Sequence, residues 1–216
     1  MMKVKEVKSY LLNPGWGKNL LFVKITTDNG LVGWGECYTQ SDRDKTIVTH
    51  LEHMSKYLKG RDPFEIKYFN QIIFDDYASR RGSMEIFSAL SGIEQALWDI
   101  CGKETKQPVY NLLGGPSRGK LRVYANGWYA GALVPEDYAE KAKKTIDKGF
   151  TALKFDPIPG PFRSIISKNN LEQSIETVRQ VREAVGPNID LLIEVHRRLS
   201  PMTAIKFADE IEEFDI

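Results

Sequence analysis

Between Arg122 and Phe214, short apolar runs alternate three times with stretches of helical period, and no other feature constrains the fold as tightly. Arg122 to Ala125, Ala152 to Phe155 and Ile189 to Val195 read as strands. Pro135 to Lys148, Leu171 to Val185 and Pro201 to about Phe214 read as helices, the first two stopped by Gly149 and by Gly186-Pro187. Strands separated by helices pair in parallel through right-handed crossovers, with active groups gathered at the strand C-terminal ends. The expectation for 116–216 is an α/β region, a partial (β/α) barrel of about three βα units. A closed eightfold barrel takes roughly 250 residues. The reading is therefore of the N-terminal part of a longer barrel, or of one whose exposed third-strand edge a partner completes.

The first 115 residues follow a different grammar, strands first and helices after, which predicts an α+β capping domain. Val4 to Leu12, Leu20 to Thr27 and Leu31 to Cys37 form a three-stranded antiparallel meander. Asn13-Pro14-Gly15 breaks the first pair, and Asp28-Asn29-Gly30 turns the second, because Asn and Gly tolerate the positive φ of a tight hairpin. Gly33 and Gly35 alternate with Trp34 and Glu36, which predicts close backbone approach on one face of the third strand. Ile47, Leu51, Met54 and Leu58 mark one helix ending at Gly60. Asp62-Pro63 opens a second with Ile66, Phe69 and Ile73. Ser83 caps a third, striped by Ala89, Ile93, Ala96, Leu97 and Ile100 and closed by Gly102.

Composition narrows the function classes. Thirty Lys and Arg against twenty-nine Asp and Glu leave a net +1, so no global charge draws the chain to nucleic acid or an anionic membrane. Cys37 and Cys101 are too few for a disulfide framework and lack zinc-site spacing. Met1 to Ser9 has no signal-peptide core, and no run reaches the 18 or so apolar residues of a membrane span. A cytoplasmic protein is expected. GxxxxGK[ST], GxGxxG, GxSxG and HExxH are absent, which argues against the common nucleotide, hydrolase and zincin chemistries.

The sharpest chemical feature is Asp190-Leu-Leu-Ile-Glu194-Val-His196-Arg197-Arg198. A buried parallel strand ends here in a carboxylate, with an imidazole two residues on and on the same side of the backbone. Glu194 suits a hard divalent cation and His196 suits proton transfer near neutral pH. Alternatively, Glu194 merely pairs with Arg197 or Arg198. Lys154-Phe155-Asp156-Pro157 ends the preceding strand and places Asp156 at the rim, where it either orients a substrate hydroxyl or caps the loop. The loop Ile158 to Asn170 is long for its place and reads as a lid or ligand wall. Tyr124-Ala-Asn126-Gly-Trp128-Tyr129 offers an amide among aromatics, suited to a polyhydroxylated ligand or to plain packing. Trp16, Glu36, Tyr38 and Arg80-Arg81 fall in turns of the first domain. His50 and His53 lack acidic or cysteine partners and are assigned to surface or packing.

Taken together, Gly30-Leu-Val-Gly-Trp-Gly-Glu36, Ala96-Leu-Trp-Asp-Ile-Cys-Gly-Lys103, Pro108 with Leu112-Leu-Gly-Gly115, Tyr124 to Tyr129, Leu153 to Pro157 and Glu194-x-His196 resemble the enolase superfamily. The likeness covers the whole chain and is to the mandelate racemase and muconate lactonizing enzyme branch, nearest its gluconate and galactonate dehydratases. It implies Mg²⁺ as cofactor, a small-molecule sugar-acid substrate and a homo-oligomer. In such enzymes a proton is removed α to a carboxylate and the β-hydroxyl is then expelled, giving a 2-keto-3-deoxy acid. The resemblance makes Glu194 a metal ligand and His196 the general acid, with Trp16, Tyr38, Asn126, Trp128, Lys154 and Asp156 around the substrate. The racemase pattern Lys-x-Lys stands here as Lys154-Phe155-Asp156, which argues against a lysine-based racemase. Arg197 occupies a place where such dehydratases often carry Gly. A racemase, epimerase or cycloisomerase of the same superfamily, or a non-catalytic fragment associating through its open barrel edge, are the alternatives. The remaining metal ligands and the base expected from the resemblance would lie beyond Ile216, so the 216 residues alone are expected to be inactive.

Overall fold

The computed structural model describes residues 2–15, 17–39, 42–160, 166–196 and 198–216, which fall into two compact units, Met1–Gly119 and Lys120–Ile216. The first unit opens with the antiparallel meander β1 (Val4–Leu12), β2 (Leu20–Thr27) and β3 (Val32–Cys37), in the order β1-β2-β3. Period-two patterning sets the register. Leu21, Val23, Ile25 and Thr27 of the central strand are all buried, and β2 pairs with β1 through Leu21↔Leu11 and with β3 through Leu21↔Cys37. The β2–β3 turn uses Gly30 at φ 88.

Helices α1 (Asp44–Leu58), α2 (Ile66–Ile72), α3 (Met84–Thr105) and the short α4 (Val109–Leu112) follow, with a π turn at Ile73–Tyr77 extending α2. The apolar stripes read from the sequence are the core. Ile47, Leu51, Met54 and Leu58 of α1 meet Ala89, Ile93, Ala96, Leu97 and Ile100 of α3 in one cluster with the sheet. Ser83 caps α3, its Oγ accepting from Ile86 N at 3.3 Å. The glycines of β3 let the α3 backbone come down onto the strand. A β-carbon at Gly33 would lie 2.0 Å from the Ala96 carbonyl oxygen, and one at Gly35 the same distance from that of Gly92. Helix α3 also bonds the free side of β3. Trp34 N donates to Asp99 Oδ2 at 2.9 Å and Glu36 N to Gln95 Oε1 at 3.1 Å, while Lys103 Nζ donates to Val32 O at 2.7 Å.

The end of the third helix differs from expectation. Helix α3 does not stop at Gly102 but runs to Thr105, where Lys106 takes the left-handed conformation at φ 55. Gly102 instead admits the returning chain, since a β-carbon there would meet Gln107 O at 2.8 Å.

The second unit contains α5 (Pro135–Ile146), β4 (Ala152–Phe155), α6 (Lys168–Val185), β5 (Asp190–Ile193) and α7 (Pro201–Ile211), closed by a 3₁₀ turn at Glu212–Phe214. Strands β4 and β5 are parallel, with Lys154 opposite Leu192 and Phe155 opposite Ile193. Ser167 and Ser200 cap α6 and α7 through backbone N–H groups three residues on. Leu153, Phe155, Val178, Val181, Leu191 and Phe207 form the core between strands and helices.

The strand expected at Arg122 to Ala125 shrinks to a single parallel bridge, Ala125↔Leu153, with Ala125 N donating to Ala152 O at 2.9 Å. Leu121, Val123 and Tyr124 are exposed, so no burial holds the rest of that run in a ladder. Arg122 reaches sideways instead, to Asp190 Oδ2 at 2.5 Å and Thr151 O at 3.0 Å. At the far end of α6, Arg182 gathers four carbonyls at 2.6–2.8 Å, those of Gly186, Ile189, Phe214 and Asp215, and so ties the helix to the start of β5 and to the last turn.

Candidate active site

The parallel pairing of β4 with β5 brings Lys154, Asp156, Glu194 and His196 together at the C-terminal ends of the two strands. Lys154 is the one charged residue in an otherwise apolar strand, and its Nζ lies 2.8 Å from Glu194 Oε2. The other carboxylate oxygen of Glu194 accepts from His196 N at 3.0 Å. The Lys154 hydrogen bond, followed by that from the His196 amide, holds the Glu194 carboxyl down at about 2. Lys154 is held up above its ordinary value by the same partner. Neither Arg197 nor Arg198 is the described partner of Glu194: Arg197 lies outside the described residues, and Arg198 turns to Asp156.

Asp156 directly follows β4, but its side chain is only 5% exposed. Its Oδ1 accepts from Ile158 N at 3.1 Å, the loop-capping arrangement, and its Oδ2 accepts from Arg198 Nη1 at 2.5 Å. His196 Nδ1 lies 3.2 Å from the same Oδ2. The rest of the ring is open to solvent, and the residue sits at φ 43, so the chain leaves β5 sharply at this point.

Trp128 stands against this floor. Its Nε1 donates to Lys154 O at 3.0 Å, and its ring meets Tyr129, Tyr138 and Phe155 with centroids 5.5–6.4 Å apart. Asn126 is exposed and its Oδ1 caps Gly127 N at 2.9 Å. Tyr38 belongs to the first unit, where its hydroxyl accepts from Lys18 Nζ at 2.9 Å and its carbonyl accepts from Ser88 Oγ at 2.7 Å. Trp16 lies outside the described residues, as does the middle of the Ile158 to Asn170 loop. His50 packs as expected, its Nδ1 2.6 Å from Tyr77 Oη. The sequence reading missed the grip of Arg198 on Asp156 and the direct Lys154–Glu194 pair. The second was available from the strand register, which sets Lys154 two positions before Glu194 on the neighbouring strand.

Among the described residues no group of three or more His, Cys, Asp or Glu is arranged to hold a metal ion. Both oxygens of Glu194 are already engaged, one by an ammonium. These residues by themselves therefore do not fit a hard dication, which wants several oxygen ligands.

A capping unit of three strands and helices, followed by parallel βα units with charged groups at their strand ends, defines the enolase-superfamily architecture. Residues 17–114 match the family described as mandelate racemase / muconate lactonizing enzyme, N-terminal domain, and residues 137–216 match the enolase C-terminal domain-like family. The chain belongs to the mandelate racemase and muconate lactonizing enzyme family. It is 39% identical to a D-gluconate/D-galactonate dehydratase of Picrophilus torridus, over 100% of this chain and 56% of the relative. It is 37% identical to a D-gluconate dehydratase of Thermoproteus tenax, over 99% of this chain and 44% of the relative. A crystal structure of an enolase-superfamily member from Salmonella Typhimurium superposes with a TM-score of 0.92 at 29% identity, covering 100% of this chain and 60% of that one. The chain thus spans about half the length of the curated relatives it matches. Among the described residues no helix is long and apolar enough to cross a membrane.

Proposed function

We propose that residues 1–115 are the capping domain, and 116–216 the first βα units, of a Mg²⁺-dependent sugar-acid dehydratase acting on gluconate- or galactonate-like acids in the cytoplasm, as a homo-oligomer. The observation that carries this reading is the Glu194-x-His196 pair at the end of β5, facing Lys154 at the end of β4, in a chain whose relatives bear dehydratase names. Mg²⁺ enters as the family's ion, with Glu194 as the ligand these residues offer.

The chemistry assigned to this chain's own residues is proton delivery. Expelling a β-hydroxyl requires that the C–O electron pair leave on an oxygen that is protonated as it departs, because hydroxide is a poor leaving group. His196 carries that proton on an exposed ring at the strand mouth. The Lys154 ammonium, held on Glu194 at 2.8 Å, is the cation at this strand mouth assigned to an anionic substrate. Trp16, Tyr38, Asn126 and Trp128 are carried as substrate contacts on the family resemblance alone.

The test is to incubate the protein encoded by the complete reading frame around these residues with D-gluconate and D-galactonate and to detect a 2-keto-3-deoxy acid. Loss of that product in His196→Gln is expected. Exchange or inversion at C2 without keto-acid release would favour the racemase or epimerase alternative.

A further inference from the structure

Asp156 is buried, yet it faces the exposed His196 side chain. Arg198 explains how it stays there. The guanidinium donates from Nη1 to both Asp156 Oδ2 at 2.5 Å and Ile158 O at 2.6 Å, and the Ile158 amide returns a bond to Asp156 Oδ1 at 3.1 Å. The carboxylate is gripped from two sides by a charge and a loop backbone. Its Oδ2 is left 3.2 Å from His196 Nδ1, and Glu194 Oε1, which accepts from the His196 amide at 3.0 Å, stands farther from the same nitrogen at 3.8 Å.

A carboxylate paired with a guanidinium has only lone pairs to offer, so the imidazole nitrogen facing it must carry hydrogen. We infer that Asp156, held by Arg198, is a positioning residue that fixes His196 as the Nδ1–H tautomer and assigns proton exchange to Nε2. The inference rests on the reading of His196 as proton donor only for its use; the tautomer itself exists without substrate. Asp156 on this account acts on a substrate through the His196 ring.

The experiment is a long-range ¹H–¹⁵N correlation of imidazole signals in the ¹⁵N-labelled 216-residue chain, with the pH raised above the ordinary imidazole value of about 6.5 until the rings are neutral. His196 is one of three histidines and is assigned as the signal lost in His196→Gln. The expected pattern is a protonated Nδ1 and a bare Nε2. Asp156→Ala should move it toward the averaged pattern of free histidine, because the nearer acceptor facing Nδ1 is then gone, and an unchanged ring overturns the inference. A wild-type ring in the Nε2–H form, or with the averaged pattern of free histidine, overturns the inference. Should Asp156→Ala fail to fold, Arg198→Lys replaces it: a drift toward the averaged pattern supports the clamp, and an unchanged ring overturns the part given to Arg198. A fixed Nδ1–H ring in a protein that dehydrates no sugar acid would retire the functional proposal and leave this one standing.

Discussion

The Lys154 ammonium and the Glu194 carboxylate meet at 2.8 Å across two parallel strands, each occupying the strand position from which a charge can reach the mouth of the second unit. Each is the principal influence on the other's ionisation.

Replacing Lys154 with Met should therefore release Glu194. Its carboxyl, held at about 2, should move up toward the ordinary glutamate value of about 4.3. A carboxylate whose folded value is depressed adds stability that is present above the unfolded value and lost as pH falls toward the folded one. Wild type should thus lose this contribution on acidification from about 4.3 toward 2, and the variant should not. Carboxyl ¹³C titration by NMR reads the shift directly.

Gly33→Ala should destabilise the first unit by about 3 kcal/mol or more, since the new methyl would sit 2.0 Å from a helix carbonyl that cannot yield. Gly119→Ala, with nothing within 4 Å of the added carbon, should stay within about 0.5 kcal/mol of wild type. Urea unfolding of both variants makes the comparison.

Arg182→Met should cost about 2–4 kcal/mol, because four carbonyls lose a charged donor and the last turn loses its tie to α6. Arg182→Lys should recover only a fraction, as an ammonium cannot span the same fork. Thermal unfolding and amide exchange around Phe214 measure it.

Cys37 and Cys101 should resist thiol reagents until the chain unfolds. Burial pushes the Cys37 thiol up to about 12 and that of Cys101 to about 11, so neither offers thiolate at neutral pH. Their raised values also mean stability that is full below about 8.5 and falls as pH climbs toward 11 and 12. Labelling with and without urea at mildly alkaline pH tests the first statement, and denaturation curves on the alkaline side test the second.

The 216 residues alone should bind Mg²⁺ weakly and release no keto acid from gluconate or galactonate. Glu194 is already paired, and no further group of ligands stands with it among the described residues. Calorimetric titration with MgCl₂ and a keto-acid assay check both halves.

Much of this was written plainly in the chain. Alternation at Leu21, Val23 and Ile25 and the 3–4 spacing of Ile47, Leu51, Met54 and Leu58 map onto burial because a single apolar face leaves no choice of register. Gly33 and Gly35 announced a close backbone approach, which the structure fills with α3. The strand at Arg122 failed because an apolar run becomes a ladder only where neighbours bury it. Local pattern could bring Glu194 and His196 together but could not say that Lys154 and Arg198 would each choose one of the two carboxylates. That choice is made by strand register and by the turn at His196, which depend on residues forty positions apart.

Helix α3 sets Gln95, Asp99 and Lys103 one turn apart along the outer margin of β3, where their side chains take the amides and carbonyls an incoming strand would need. The meander is thereby sealed against growth on that side, and a neighbouring molecule cannot enlist it as a template for sheet extension. Whatever assemblies this half of the chain enters, they must form through side chains and not through a continued ladder at β3.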